Sequence, residues 1–173
     1  MNRFLVTFTT AIFAFMLIVG CSSADTAKDS LPTTVKAVPA PSKYDLSTPE
    51  SAVRSYLAAI AFAYRTGDSE VASATMTPWE GVRVDSYIEL NRQQGRGIEQ
   101  KLTAFRVLDS SGEVPTMTVT ANESWAYRYF ALSDGRYQSE ELTAAYHSQY
   151  TVLNSGDIWQ VDKVQVTPAG EVK

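Results

Sequence analysis

The chain has 173 residues, one cysteine, one histidine and a formal net charge of −4 at pH 7, a length typical of one domain. The lone cysteine excludes an internal disulfide and a multi-cysteine metal site, and the lone histidine excludes the commonest zinc ligand sets. A sequence pI near 5.0 argues against nucleic-acid binding, which normally needs a basic surface. We therefore expect one folded domain with no metal, no other cofactor and no nucleic-acid partner.

The first twenty residues have the pattern of a secretory signal peptide. Arg3 gives a positive start, and residues 4–19 are uncharged and rich in Phe, Leu, Ile and Ala. A membrane-spanning helix needs about 20 apolar residues, so this run is slightly short and suits a signal peptide better. It ends in Leu-Ile-Val-Gly-Cys at 17–21, which resembles the lipobox of bacterial lipoproteins.

The lipobox resemblance implies that Cys21 receives a diacylglyceryl group and becomes the first residue after cleavage. The protein would then be a lipoprotein (with acyl chains such as palmitate) held on the extracytoplasmic face of the cell membrane. The alternative is an uncleaved anchor with an incidental cysteine. Residues 21–47 are rich in Ser, Thr, Ala, Pro, Lys and Asp, a composition that predicts a flexible tether.

Helix signals come next, in residues 47–97. Ser47-Thr48-Pro49-Glu50 combines a hydroxyl cap, an early proline and a glutamate suited to a capping box. An apolar stripe then predicts a helix that ends at Gly67; its members are Val53, Tyr56, Leu57, Ile60, Ala61 and Tyr64. We expect a short second helix to about residue 76. A third should run to about residue 94, burying Val84, Tyr87, Ile88 and Trp79.

After Gly97 the apolar period changes from about 3.6 to 2, which predicts strands. The predicted strands cover 98–109, 114–132, 140–153 and 158–166, with turns at 110–113, 133–135 and 154–157. Hairpin turns between long strands indicate an antiparallel meander. We therefore predict an α+β domain at 48–168, in which helices cover a sheet that curls as a cone, followed by a tail at 169–173.

Several segments carry a family resemblance that spans about 45–168. They are Glu50-Ser51-Ala52-Val53-Arg54-Ser55-Tyr56-Leu57, Arg65-Thr66-Gly67-Asp68, Gly95-Arg96-Gly97-Ile98 and Gly156-Asp157-Ile158-Trp159-Gln160-Val161-Asp162-Lys163-Val164. The pattern resembles the nuclear transport factor 2-like superfamily. It is most similar to the extracytoplasmic C-terminal domain of teicoplanin-resistance-associated membrane proteins. Unlike those proteins, this chain has no zinc ribbon.

That resemblance implies a pocket between sheet and helices, in which enzymes of the superfamily use a carboxylate or histidine with tyrosines. Glu123 is the one charged residue on the more apolar face of its strand, and an apolar cavity makes a carboxylate a stronger base. The predicted pocket residues are Glu123, Trp125, Tyr127, Tyr146 and Tyr150. Alternatively, Glu123 lies near a strand end or bulge, or meets Arg106 or Arg128, and the aromatic residues are core packing. His147 falls on the polar face, so no catalytic residue is assigned.

Three functional hypotheses follow. The first is a non-catalytic, membrane-anchored module that binds a cell-envelope protein or wall polymer, for which Arg92, Arg96 and Lys101 offer positive charge. The second is a small-molecule pocket, or an enzyme of the isomerase or dehydratase kind that uses Glu123 and tyrosines. The third is homodimerisation through the outer face of the sheet. The balance favours a protein that is not an enzyme.

Overall fold

A computed structural model describes residues 33–169. Three helical segments precede four strands: α1 (Pro49–Thr66), a 3-10 helix (Glu70–Thr75), α2 (Pro78–Gln93), β1 (Arg96–Glu113), β2 (Thr116–Ala131), β3 (Leu142–Ser155) and β4 (Ile158–Pro168). The strands form one antiparallel sheet in the order β1-β2-β3-β4. The predicted α+β class is confirmed. The signal peptide and Cys21 lie outside the described residues.

Helix α1 begins at a capping box that differs from the predicted one. The Thr48 hydroxyl accepts from the Ser51 amide at 3.2 Å, and the Ser51 hydroxyl accepts from the Thr48 amide at 3.0 Å. The prediction gave the reciprocal role to Glu50. The cap residue is Thr48 rather than Ser47, so the third helical position falls on Ser51. At the other end, Gly67 adopts a left-handed conformation with φ of 71°, as predicted for a helix stop.

The buried stripe of α1 packs against the inner face of the sheet. Its most buried members are Ala52, Val53, Tyr56, Leu57, Ala59 and Ala63, all 2% exposed or less. They meet Val119 and Ala121 of β2, Val152 of β3 and Val161 of β4, each fully buried. The core therefore lies between α1 and the concave face of the sheet.

Helix α2 buries a different set of residues from the one predicted. Val84 and Ile88 are buried as expected, but Trp79 is 73% exposed and Tyr87 is 40% exposed. The residue that turns inward at the start of the helix is Glu80, at 1% exposure. Glu80 precedes Val84 by four positions and therefore shares its face, whereas Trp79 is rotated about 100° away.

The sheet curls because its long strands contain β-bulges. The register shifts at Thr103 and Leu108 in β1 and at Asp162 in β4, and each extra residue bends the strand and increases its twist. Strand β1 also continues through residues 110–113, which the sequence predicted as a turn. Cross-strand pairing reaches Glu113 and Thr116, so the reversal falls on Val114 and Pro115.

Part of the predicted tether contacts the domain. The Val35 amide donates to the Gly135 carbonyl at 2.9 Å. The Tyr44 hydroxyl donates to the Val71 carbonyl at 3.0 Å, and the Leu46 carbonyl accepts from the Trp159 amide at 2.9 Å. The described residues, 33–169, belong to one compact unit. Within the described residues, no helix combines the length and apolar character that a membrane span requires.

Candidate ligand-binding cavity

A cavity of about 600 Å³ lies between the two α-helices and the inner face of the sheet. Seven of the nine tyrosines in the chain line it. They come from every layer of the fold: Tyr56 and Tyr64 from α1, Tyr87 from α2, Tyr127 and Tyr129 from β2, and Tyr146 and Tyr150 from β3. A volume in this range is typical of small-molecule sites.

Glu123 lies in the wall of this cavity and is 4% exposed. One carboxylate oxygen accepts from the Tyr150 hydroxyl at 2.7 Å and from the Ser148 hydroxyl. The other accepts from the indole N–H of Trp125 at 2.8 Å. All three donors are uncharged. Their hydrogen bonds stabilise the negative charge of the carboxylate in its buried position.

The Glu123 cluster follows from strand geometry. Glu123 and Trp125 are two residues apart on β2, so their side chains share the inner face. On β3, Ser148 pairs with Ala121, and Tyr146 pairs with Glu123. Ser148 and Tyr150 therefore stand beside Glu123 on the same face of the sheet.

A second buried carboxylate, Glu80, lies behind the helical wall of the cavity. It accepts from Arg83 through both oxygens, at 2.8 and 3.0 Å, and from the Tyr56 hydroxyl at 2.5 Å. Arg83 also donates to the Val164 carbonyl at 3.2 Å, which joins α2 to β4. Glu80 was not among the residues predicted from the sequence. Its position four residues before Val84 on the apolar stripe of α2 was the signal that could have found it.

The buried tyrosines of the cavity stay protonated. Burial, reinforced by the neighbouring Glu123 carboxylate, raises the pKa of Tyr150 well above its usual value near 10. Burial and the Glu80 carboxylate raise the pKa of Tyr56 in the same way. Tyr56 and Tyr150 are therefore neutral at physiological pH. They contribute aromatic rings and protonated hydroxyl groups to the cavity wall.

The structure places all five predicted pocket residues in the cavity wall. Glu123 forms no ion pair with Arg106 or Arg128 among the described residues. His147 is exposed on the outer face, where its ring lies 3.0 Å from the Asn122 side-chain oxygen.

Two of the three basic residues that were considered for polymer binding, Arg92 and Arg96, have partners within the chain. Arg92 pairs with Glu89 at 2.7 Å, and Arg96 lies over the Tyr129 ring at 4.0 Å. Residues 33–169 contain no group of three or more His, Cys, Asp or Glu side chains that could hold a metal ion.

No protein-family model matches this sequence, and no curated protein matches it. Among solved structures, the chain is similar to the intermembrane space region of the chloroplast protein ARC6. The TM-score is 0.58 at 13% identity, and the match covers 73% of this chain and 99% of that one. This similarity shows the fold alone, namely helices followed by a curled antiparallel sheet. That is the arrangement implied by the resemblance to the nuclear transport factor 2-like superfamily.

Two further solved structures match at lower TM-scores. An uncharacterised protein with a cystatin-like fold from Caulobacter vibrioides gives 0.46 at 11% identity, covering 70% of this chain and 90% of that one. A ketosteroid isomerase-like protein from Erwinia carotovora atroseptica gives 0.43 at 13% identity, covering 69% and 95%.

Proposed function

We propose that this protein is a lipid-anchored, extracytoplasmic binding module whose ligand site is the tyrosine-lined cavity. The observation that carries the proposal is the cavity itself, with about 600 Å³ of space walled by aromatic side chains and one buried carboxylate. Ligand sites are typically concave and apolar, with a few placed polar groups. This arrangement favours a small molecule, or the end of a larger envelope molecule, over a partner that docks on the sheet.

The state of Glu123 favours binding over catalysis. A general base needs a free lone pair directed at the substrate proton. Both oxygens of Glu123 already accept hydrogen bonds, from Trp125, Ser148 and Tyr150. A carboxylate has about four acceptor positions, and these donors occupy three of them. The isomerase or dehydratase alternative would have to use the remaining position of the oxygen bound by Trp125, or lose one of the donors.

The anchoring part of the proposal depends on the sequence. A positive start, an uncharged apolar run and Cys21 in a lipobox-like segment support lipidation. Two acyl chains give stable membrane attachment, because each buried methylene contributes ~0.8 kcal/mol. The similarity to teicoplanin-resistance-associated membrane proteins favours the same location, since their corresponding domain is extracytoplasmic.

Occupancy of the cavity can be tested with N-phenyl-1-naphthylamine, a neutral apolar dye that fluoresces when it leaves water. We expect the soluble chain from Ser22 onward to bind it. Ser86→Trp introduces a large ring at the cavity wall and should weaken binding at least about tenfold, or about 1.4 kcal/mol.

The matched control is Val82→Trp, one turn earlier on α2 at a position that is 64% exposed and outside the cavity lining. It should bind the dye as the natural chain does. Absence of dye binding to the natural chain, or equal loss in both variants, would contradict the proposed site.

A further inference from the structure

Of the two charged side chains that line the cavity, only one has an oppositely charged partner among the described residues. These two side chains are Glu123 and Arg83. Arg83 is neutralised by its two hydrogen bonds to Glu80. Among residues 33–169, no cationic side chain forms an ion pair with Glu123, whose three donors are all uncharged. Glu123 is therefore a buried carboxyl group with no cationic side chain paired to it among the described residues.

Tyrosine rings in the cavity wall pack in pairs on both the sheet side and the helical side. Tyr127 and Tyr129 meet edge to face, with ring centroids 5.9 Å apart and planes at 88°. On the helical side, Tyr64 and Tyr87 meet at 5.2 Å and 67°. In both pairs the edge of one ring packs on the face of the other. The face of an aromatic ring carries negative electrostatic potential.

Two tyrosines already contact guanidinium groups, Tyr129 in the cavity wall and Tyr137 outside it. The Arg96 guanidinium lies 4.0 Å from the centroid of the Tyr129 ring, and the Arg128 guanidinium lies 3.8 Å from that of Tyr137. These contacts are within the range of favourable cation–π interactions. The hydroxyl groups of Tyr64, Tyr127 and Tyr146 donate to no other described side chain, so they can serve a ligand.

We propose that the natural ligand is an organic cation, with an ammonium group attached to an apolar body. Its charge would offset that of Glu123 and lie against tyrosine faces, while its apolar part would contact the aliphatic wall formed by Leu57, Ile60 and Val84. An anionic ligand would meet repulsion from Glu123, and a neutral one would leave that charge uncompensated. This inference rests on the proposed use of the cavity as a ligand site.

The test compares choline with 3,3-dimethylbutan-1-ol, which has the same shape but carries carbon in place of the charged nitrogen. Binding to the soluble chain from Ser22 onward is followed by NMR, using the indole N–H signal of Trp125 beside Glu123. Cation–π contacts and the carboxylate together should make choline bind about tenfold more tightly. Equal or weaker binding of choline would overturn the inference.

Two variants identify the source of the selectivity. Glu123→Gln should reduce the choline preference to the smaller part that the tyrosine rings supply, and leave the affinity for 3,3-dimethylbutan-1-ol unchanged. Glu140→Gln removes an exposed charge outside the cavity and should preserve the full preference. A choline preference in Glu123→Gln equal to that of the natural chain would overturn the role of the carboxylate.

If Glu123→Gln does not fold, Tyr127→Leu tests the aromatic wall instead, because it keeps apolar volume but removes one ring. It should weaken choline binding several-fold and spare the neutral compound; equal effects on both would overturn the inference. Dye binding without choline preference would defeat only the cationic ligand. Absence of dye binding would contradict the proposed ligand site itself.

Discussion

Single polar residues in the interior of this protein are accommodated by the hydrogen bonds that they form with one another. Tyr150 is 1% exposed and Glu123 is 4% exposed, and they stabilise each other through a 2.7 Å hydrogen bond. Neither residue alone would be well accommodated there, because a buried polar group without a partner is costly. The hydrogen bond between them offsets the cost of burying two polar groups in the wall of an apolar cavity.

The tyrosine pKa values predict how stability changes at alkaline pH. Burial raises the pKa of Tyr150, and burial with the Glu99 hydrogen bond raises the pKa of Tyr137 to about 12. A group whose pKa is higher in the folded than in the unfolded state stabilises the fold fully below the unfolded value near 10. That stabilisation is lost as pH rises towards the folded value.

We therefore expect the free energy of unfolding to fall above about pH 10, because the unfolded chain then binds fewer protons than the folded one. Urea denaturation between pH 8 and pH 11.5 measures this slope. Tyr150→Phe should lower stability at pH 8, since it removes a donor to Glu123, but should give a shallower alkaline slope than the natural chain. An unchanged slope would contradict the assignment, and absorbance at 295 nm would report tyrosine ionisation in the folded state independently.

At the scale of elements, α1 is the support on which the cavity depends. It places Tyr56 and Tyr64 in the wall and provides the largest share of the buried helical surface. Its start is defined by the reciprocal Thr48 and Ser51 hydrogen bonds, and its end by the left-handed Gly67. Both ends are defined by interactions between residues that are close in the sequence, so they do not depend on what the helix packs against.

Thr48→Ala should lower the free energy of unfolding by about 1 kcal/mol, because it leaves a first-turn amide without its acceptor. Ser47→Ala is the matched control. The Ser47 hydroxyl donates to the exposed Asp45 carboxylate at 2.6 Å and takes no part in the cap, so its loss should cost less than about 0.5 kcal/mol. Chemical denaturation measures the free energy of unfolding of both variants. A larger loss in Ser47→Ala than in Thr48→Ala would place the cap at Ser47.

At the scale of the whole molecule, the proposed function requires two separate parts. The binding domain is described by the structure, whereas the anchor rests on Cys21 and the segment before it, which lie outside the described residues. Homodimerisation through the outer face of the sheet also stays a prediction. The two parts can be tested independently, because the Cys21 substitution leaves the cavity unaltered.

Cys21→Ser should release the protein from the membrane fraction, or leave it with its signal peptide uncleaved, because the substituted oxygen does not accept the lipid. Fractionation and gel mobility of the expressed chain measure both effects. Ser22→Ala is the matched control and should remain membrane-bound and processed. Unchanged retention and unchanged mobility of Cys21→Ser would refute lipid attachment at this residue.

The sequence predicted the elements well where local signals decide them. Capping residues, apolar periods and hairpin glycines located two α-helices and four strands, with boundary differences of a few residues. The error at 110–113 has a physical reason. Ser, Ser, Gly and Glu have turn propensity, but β2 supplies hydrogen-bond partners up to Glu113, and cross-strand pairing outweighs local preference.

By itself, the sequence determined the fold class, the more apolar face of β2 and the unusual position of Glu123 on that face, because alternation and helical periodicity are local properties of the chain. Only the tertiary structure decided what surrounds that carboxylate. Trp125, Ser148 and Tyr150 reach it through pairing across 25 residues or more of chain and along β2. The inward position of Glu80 and the open space beside the tyrosines also arise from how α2 crosses the sheet, since packing between distant elements leaves no periodic signal in the sequence.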